Sequence, residues 1–403
     1  MSSVFDIAVV GGGLAGASLA LALKDTGLRI AVVEAVAPRL DQPAQFDARV
    51  LALAEGSRRV YATLGLWPAL EAHATPIRHI HVSDRGRFGM TRLHAEDHGV
   101  AALGQVIEMR DLGRTVFGAM QKLPGVTLHC PAKVTGFALG ADAASLTLDS
   151  GETLNAALVI VADGAESGLR QQLHIDTRVA DYRQSAITAN VVTARPHQGW
   201  AYERFTDSGP LALLPMSQGR MSLVWTVAPD EVAGITAFDD TAFLAALQER
   251  FGWRLGRFVK VGARHAYPLA MTEAVEQVRP RLVVLGNAAH TLHPIAGQGF
   301  NLTLRDVAVL AEVLADAARA GADLGDFTRL LAYAEARRAD QARVIGFTDT
   351  LARLFCNPFE PLACARNLAL KVLDVVPGLK TPLAEGAMGL TGPAPRLVRG
   401  LAV

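Results

Sequence analysis

The chain has 403 residues, half of them hydrophobic, and its 39 Lys and Arg balance 39 Asp and Glu. That is enough apolar material for a large core in two or three domains, and a balanced charge offers no field for nucleic acid. Cys130, Cys356 and Cys364 have neither CxxC spacing nor an even count, which argues against a disulfide framework, a zinc site or a dithiol redox centre. Residues 7–23 and 283–304 carry no charge, but glycines 11–13 break the first, while His290, His293, Asn287, Pro294 and Gln298 break the second. No transmembrane helix is expected. The first residues lack the basic, apolar and small-residue order of a signal peptide, so the expected location is the cytoplasm.

Residues 5–10 form a β-rich run that passes into Gly11-Gly12-Gly13-Leu14-Ala15-Gly16 and then into good helix formers, a strand, tight turn and helix. A second strand, 30–33, ends at Glu34. An acid about 20 residues beyond the first glycines is placed to receive the ribose hydroxyls of an adenine dinucleotide. Gly11, Gly13, Gly16 and Glu34 are therefore the first candidate cofactor residues, and an acid suits the unphosphorylated ribose of FAD or NAD. Residues 47–53 join a helical pattern that runs to Tyr61 and Leu64. Strands are expected at 75–83 and 103–108, flanking a charged hairpin or loop, and an amphipathic helix at 111–121 with Asp111 as its N-cap.

Short strands follow at 126–129, 133–139, 145–148 and 158–162. The last enters Asp163-Gly164-Ala165-Glu166-Ser167-Gly168-Leu169-Arg170, which reads by itself as an Asp-Gly turn with Ser167 capping the next helix. Residues 176–267 turn to alternating and aromatic strands, at 185–192, 201–205, 211–216 and 222–227, interrupted by a helix at 239–251. This is expected to be a mostly antiparallel sheet inserted into the nucleotide domain, forming one wall of a substrate cavity.

The apolar run 282–285 then leads into Gly286-Asn287-Ala-Ala-His290-Thr-Leu-His293-Pro294-Ile-Ala-Gly297-Gln298-Gly299-Phe300-Asn301, a loop followed by a helix expected to begin near Asn301. Gly297 and Gly299 let the main chain approach a flat ligand, and the helix start aims free amides at it. The rest is helical, at 307–320, 327–354 and 361–375, with breaks at Pro358, Pro377 and Pro382. Its cations, Arg337, Arg338, Arg343, Arg353, Arg366, Lys371 and Lys380, interleave with apolar residues, favouring amphipathic helices packed on their own protein over a membrane-surface face.

The glycine turn at Gly11, the DGxxSxxR stretch at Asp163 and the loop from Gly286 to Asn301 together resemble the FAD-dependent aromatic monooxygenases of the para-hydroxybenzoate hydroxylase class. The wording of Phe46-Asp-Ala-Arg49, His81-Val-Ser-Asp-Arg-Gly86, Gly209-Pro-Leu-Ala-Leu-Leu-Pro-Met216 and Asn287-Ala-Ala-His-Thr-Leu-His-Pro294 is most similar to the ubiquinone-biosynthesis hydroxylase branch. The resemblance implies an α/β fold with a Rossmann-like FAD-binding domain (1–74, 100–175 and 268–320), an inserted β-sheet substrate domain (75–99 and 176–267) and a helical C-terminal region (321–403). It places FAD against Gly11, Gly13, Gly16, Glu34, Arg49, Asp163, Gly164, Gly286, Asn287, Gly297, Gln298, Gly299 and Asn301. The wider class carries Asp at position 287, and an amide oxygen there still accepts a hydrogen bond.

The implied reaction uses NAD(P)H as a transient electron donor and O2, through a flavin hydroperoxide, to hydroxylate a polyprenylated phenol of the 2-octaprenyl-6-methoxyphenol kind. Pro294, His293 and His290 are the catalytic candidates; the histidines sit in the right loop for proton transfer, or else order that loop through hydrogen bonds. Pro294, Ile295, Leu269 and Leu213 are expected to keep the site dry. A polyprenyl substrate raises the expectation of a peripheral membrane contact or a quinone-biosynthesis protein complex. Among the tryptophans, Trp67, Trp200, Trp225 and Trp253, there is no Trp-x-Trp pair for a flavin halogenase; an FAD-binding scaffold remains the other reading.

Overall fold

The computed structural model describes residues 3–38, 45–357 and 359–403. Strand β1 (Ser3–Val10) lies in parallel between β2 (Ile30–Val33) and β3 (Thr153–Val161), and β3 pairs in parallel with β4 (Leu282–Val284). Ile7, Val9, Val32, Ile160 and Val283 have no solvent exposure, as expected for continuous β-branched runs in a sheet covered on both faces. Register then fixes the site. Val10 sits opposite both Val33 and Val161, and Val161 opposite Val284, so four segments leave the sheet side by side at one carboxyl edge. Helices α1 (Leu14–Ala22) and α2 (Gln298–Arg319) pack on one face of this sheet, whose core includes Leu19, Ile160, Leu304 and Leu310.

Among the described residues a second, nine-stranded sheet draws on Thr177–Thr193, Trp200–Thr206, Gly209–Pro215 and Arg220–Val227 together with the hairpin His79–Asp84 and Met90–His94. It is antiparallel except where Trp200–Thr206 runs parallel to His79–Asp84. The strand His265–Ala274 also belongs to it, so the boundary expected at 268 falls inside a strand. Helix Asp240–Phe251, capped by Asp239, covers one face of this sheet. Leu211, Leu213, Trp225 and Phe243 are buried together there. Leu213 therefore does not line the substrate side: the two-residue period of a strand sends Leu214 to the opposite face, where it meets Val50, Ala52 and Ile77.

Three local expectations are corrected. Residues 47–53 are not helical; Val50–Ala54 is a strand paired with Gly104–Glu108, and a helix begins only at Glu55. Asp111 is not an N-cap, because its helix starts at Met109 after an extended Glu108. Pro382 does not break the chain but lies within the helix Pro377–Met388, while Pro377 occupies its first turn, where a missing amide hydrogen costs nothing. The break at Pro358 lies outside the described residues. The C-terminal part consists of α3 (Phe327–Cys356), α4 (Glu360–Val375) and that last helix.

Candidate cofactor and active site

Two of the first glycines are required by packing. Gly11 has φ +105°, and a Cβ there would lie 2.2 Å from the carbonyl oxygen of Ala162, at the start of the Asp163 turn. A Cβ on Gly16 would lie 2.0 Å from the Gly11 carbonyl oxygen. Gly13 differs: a Cβ would meet nothing within 4 Å, and Gly13 caps α1 without a side-chain partner, which leaves the first amides of that helix free. Beside it, the Gly12 amide donates to Glu34 Oε2 (2.7 Å) and the Val36 amide to Glu34 Oε1 (2.9 Å), fixing the carboxylate at the end of β2.

These groups open on a cavity of about 340 Å³, lined by Gly12, Gly13, Glu34, Arg110, Arg114 and Phe117. Free helix-start amides with two guanidinium groups suit a diphosphate, and the fixed acid suits a ribose. Arg110 and Arg114 escaped the sequence reading, which had no reason to bring the helix Met109–Met120 against the glycine turn.

The second and third turns are bolted together. Ser167 Oγ accepts from the Arg170 amide (3.0 Å), and Asp163 Oδ2 accepts from the Leu169 amide (3.2 Å), so the capping reading of this stretch holds. The buried Arg170 guanidinium then donates to the carbonyls of Ala288 (2.8 Å) and Ala165 (3.0 Å), joining the Asn287 turn to the Asp163 turn. Gly286, at φ +67°, comes so close to α1 that a Cβ would lie 3.1 Å from Ala15 Cβ. Asp163 and Asn287 are both exposed at this junction, and a Cβ on Gly164 would meet nothing within 4 Å.

Helix α2 starts three residues earlier than expected, at Gln298, because Gly297 adopts φ +60° and caps it. Gly299 faces open space, whereas Gln298 is buried with its Nε2 3.4 Å from the Ala387 carbonyl. The Asn301 side chain is turned into the protein. Its Oδ1 accepts from the Ala54 amide (2.8 Å) and Ser57 Oγ (2.7 Å), and its Nδ2 donates to the carbonyls of Ala52 (2.9 Å) and Gly297 (2.8 Å). All four amide valences tie the loop to the strand Val50–Ala54, so Asn301→Ala is expected to cost about 2–4 kcal/mol in chemical unfolding. A loss under ~1 kcal/mol would contradict this clamp.

Arg49 is exposed on a segment held at its main chain: Asn190 Nδ2 donates to the carbonyls of Phe46 and Ala48 (both 2.8 Å), and the Met109 amide donates to the Arg49 carbonyl (2.8 Å). Arg49 thus stands between the strand Thr177–Thr193 of the second sheet, which carries Asn190, and the start of the helix Met109–Met120.

Residues 4–348 match the family model described as an FAD binding domain. A relative from Rhodospirillum rubrum, named ubiquinone hydroxylase UbiL, is 40% identical over 99% of this chain and 93% of its own length. The chain belongs to the FAD-dependent monooxygenases, in the branch of the ubiquinone hydroxylases. A 3-demethoxyubiquinol 3-hydroxylase from Escherichia coli is 32% identical over 96% of this chain and 98% of its own. The fold is that of p-nitrophenol 4-monooxygenase PnpA from Pseudomonas putida DLL-E4, with a TM-score of 0.79, 19% identity and coverage of 97% of this chain and 99% of that one. The protein is thus a flavin monooxygenase that binds FAD, and NAD(P)H is the donor typical of its class.

The two histidines of the loop ahead of α2 have different environments. His290 is buried with Nε2 2.7 Å from Asp306 Oδ2, inside a network in which Arg337 joins Asp306 and Asp340 (2.6 Å each) and Arg305 meets Asp340 (2.8 Å). Burial alone would raise the Asp306 pKa, but Arg337 and His290 outweigh it and hold it down to about 2. This arrangement orders the loop.

His293 carries no such charge partner. Burial holds its pKa down to about 4, its ring lies edge-on to Tyr182 with centroids 5.0 Å apart, and Nδ1 is 3.4 Å from the Ile295 amide. Nδ1 as acceptor puts the proton on Nε2, a buried atom without a partner among the described residues. Pro294 follows directly and precedes the short turn Ile295–Gly297.

His81 is likewise held down to about 4, by burial and by Arg254, Arg92 and Arg204. Both rings are neutral in the fold and take up a proton in the unfolded chain below their usual 6.5. Stability is therefore expected to fall as pH drops from about 6.5 towards 4, by up to ~3 kcal/mol per ring. Urea midpoints measured across that window test this, and His293→Gln should flatten the slope; a midpoint independent of pH would contradict it.

Proposed function

We propose that the protein hydroxylates the ring of a polyprenylated phenol in ubiquinone biosynthesis, the substrate being of the 2-octaprenyl-6-methoxyphenol kind, with NAD(P)H and O2. One observation carries this reading: the loop ahead of α2 runs directly into a dry apolar cluster. Ile295 is buried with Phe205, Phe355 and Leu370, and the rings of Phe205 and Phe355 stack with centroids 3.6 Å apart. Such a wall suits a long hydrocarbon tail and keeps water from the reacting ring. The names of the relatives, ubiquinone hydroxylase and 3-demethoxyubiquinol 3-hydroxylase, agree with a quinone precursor.

FAD, when bound, would carry electrons from NAD(P)H to O2 and activate the oxygen. In this proposal Gly11, Gly13 and Gly16 seat its diphosphate with Arg110, and Glu34 receives the ribose. Arg49, Asp163, Gly164, Gly286 and Asn287 flank the ribityl chain and ring. The α2 start at Gly297, Gln298 and Gly299 stabilises negative charge at the pyrimidine edge. In this proposal segments 1–74, 100–175 and 275–320 form the FAD-binding part; the substrate part combines 75–99 and 176–267 with the remainder of the strand His265–Ala274.

His293 is assigned to the phenol oxygen as a neutral Nε2–H donor beside Pro294. His293→Gln should retain FAD and lower product formation about tenfold, one hydrogen bond's worth, while NAD(P)H oxidation continues. Unchanged coupling would remove the assignment. For the function itself, a strain lacking the gene should accumulate a prenylated precursor missing one ring oxygen, identified by mass spectrometry. An unaltered quinone profile would overturn the reading.

A further inference from the structure

One strand of the second sheet loses its register where a tyrosine stands. Thr177–Thr193 stays paired with His265–Ala274 as far as Asp181, opposite Ala270, and resumes with Gln184 opposite Leu269. Tyr182 and Arg183 therefore face no residue of the partner strand, and such a β-bulge bends a strand and re-aims its side chains. Arg183 takes φ +51°, a left-handed conformation unfavourable for a residue with a Cβ. Asp181 Oδ1 holds it there by accepting from the Arg183 amide at 2.8 Å.

The bulge delivers Tyr182 to His293. On its other edge His265–Ala274 pairs Thr272 with Thr291, close to Ala270, so the loop that carries His293 leaves beside the bulge. The two rings meet edge-to-face with centroids 5.0 Å apart. Little else fixes the imidazole: the Ile295 amide lies 3.4 Å from Nδ1, long for a hydrogen bond, and Nε2 has no partner among the described residues. Tyr182 in turn packs with Phe205, Ile295 and Phe355, and the Arg353 guanidinium lies 5.9 Å from its ring centre. Its hydroxyl is buried and closes no hydrogen bond of ordinary geometry among the described residues; burial, and then the nearby Asp349 carboxylate, push its pKa up to about 12. A side chain that only fills space needs neither a lost register nor a left-handed neighbour.

We propose that Tyr182 is a positioning residue for His293: its ring, aimed by the bulge, sets the plane of the imidazole and shields it from water, so that Nε2 meets the substrate oxygen. This rests on the assignment of His293 to the phenol oxygen. The ring is the working part, since the hydroxyl forms no ordinary bond. Charge plays little part at this imidazole, which burial keeps neutral. The pair Asp349 and Arg353 of α3 faces Tyr182, while Asp306 of α2 and Arg337 of α3 close on each other, with His290 on Asp306.

The test follows the His293 imidazole by NMR in FAD-loaded protein carrying labelled histidine, its resonance identified by its loss in His293→Gln. The wild-type ring should titrate near pH 4, and Tyr182→Ala should raise that midpoint by about one pH unit or more as water reaches the ring. The same variant should lower product formed per NAD(P)H about tenfold, as His293→Gln does, and adding it to His293→Gln should lower it no further. Tyr182→Phe keeps the ring and should restore both readouts to within about twofold of the wild type. Should Tyr182→Ala lose its flavin, Tyr182→Leu is measured in its place. An unmoved His293 midpoint, an equal loss in Tyr182→Phe, or a further tenfold loss in the double variant overturns the proposal. A failure of the substrate reading registers separately, as a wild type that makes no product from a prenylated phenol, and the His293 midpoint then decides the positioning by itself.

Discussion

Gly13→Glu is expected to give folded, colourless protein, with FAD affinity reduced at least ~100-fold, or roughly 2.7 kcal/mol. A Cβ at this position touches no protein atom within 4 Å, so the new side chain meets no packing obstacle and projects into the cavity at the start of α1. There its carboxylate competes with the diphosphate for the same free amides and for Arg110. Gly16→Ala makes the contrasting control. Its Cβ would lie 2.0 Å from the Gly11 carbonyl oxygen, so the loss should appear in stability as well as in colour. Flavin absorbance per mole of protein, read beside circular dichroism, separates the two; a fully yellow Gly13→Glu protein would contradict the site.

Arg337→Met should destabilise the protein by ~3–5 kcal/mol, because it strands buried carboxylates instead of removing a surface pair. Asp306 and Asp340 both lose their contact with this guanidinium, leaving His290 and Gln341 on the first and Arg305 with the more distant Arg343 on the second. The consequence reaches the loop ahead of α2, since His290 is fixed by Asp306 and its strand, His290–Thr291, pairs with His265–Ala274 of the second sheet. The urea midpoint and flavin retention measured together should fall together. A shift below ~1 kcal/mol would mean the network is not sustaining the loop.

The parts of the fold carried by local chemistry were legible in the sequence. The run to Val10, the glycine turn and Glu34 announce a nucleotide-binding unit because strand, turn and acid are all local signals, and the structure joins them through the Gly12 amide. Val50–Ala54 was misread because Leu and Ala favour helices, while its strand form is decided by distant partners, the strand Gly104–Glu108 and the Asn301 side chain. Asn301 looked like a ligand-facing residue from its place beside the glycines; only the fold reveals that its four hydrogen bonds are all internal. Arg170 stood in a quoted motif, but its target, the Ala288 carbonyl, lies 118 residues away, and no local pattern encodes such a contact. The buried side of α4 was invisible for the same reason: helical spacing identifies two faces, and tertiary contacts such as Asn367 with Asp84 decide which one is buried.

The proposal of ring hydroxylation by a flavin seated at the shared carboxyl edge of β1, β2, β3 and β4 is most directly tested by isotope transfer. The purified protein should be supplied with NAD(P)H, labelled dioxygen and a prenylated phenol, and the product weighed by mass spectrometry. The expected result is one labelled oxygen on the ring for each NAD(P)H consumed, with oxidation accelerated by the phenol. Full flavin occupancy with NAD(P)H consumed only to peroxide, and no label on the phenol, would contradict it.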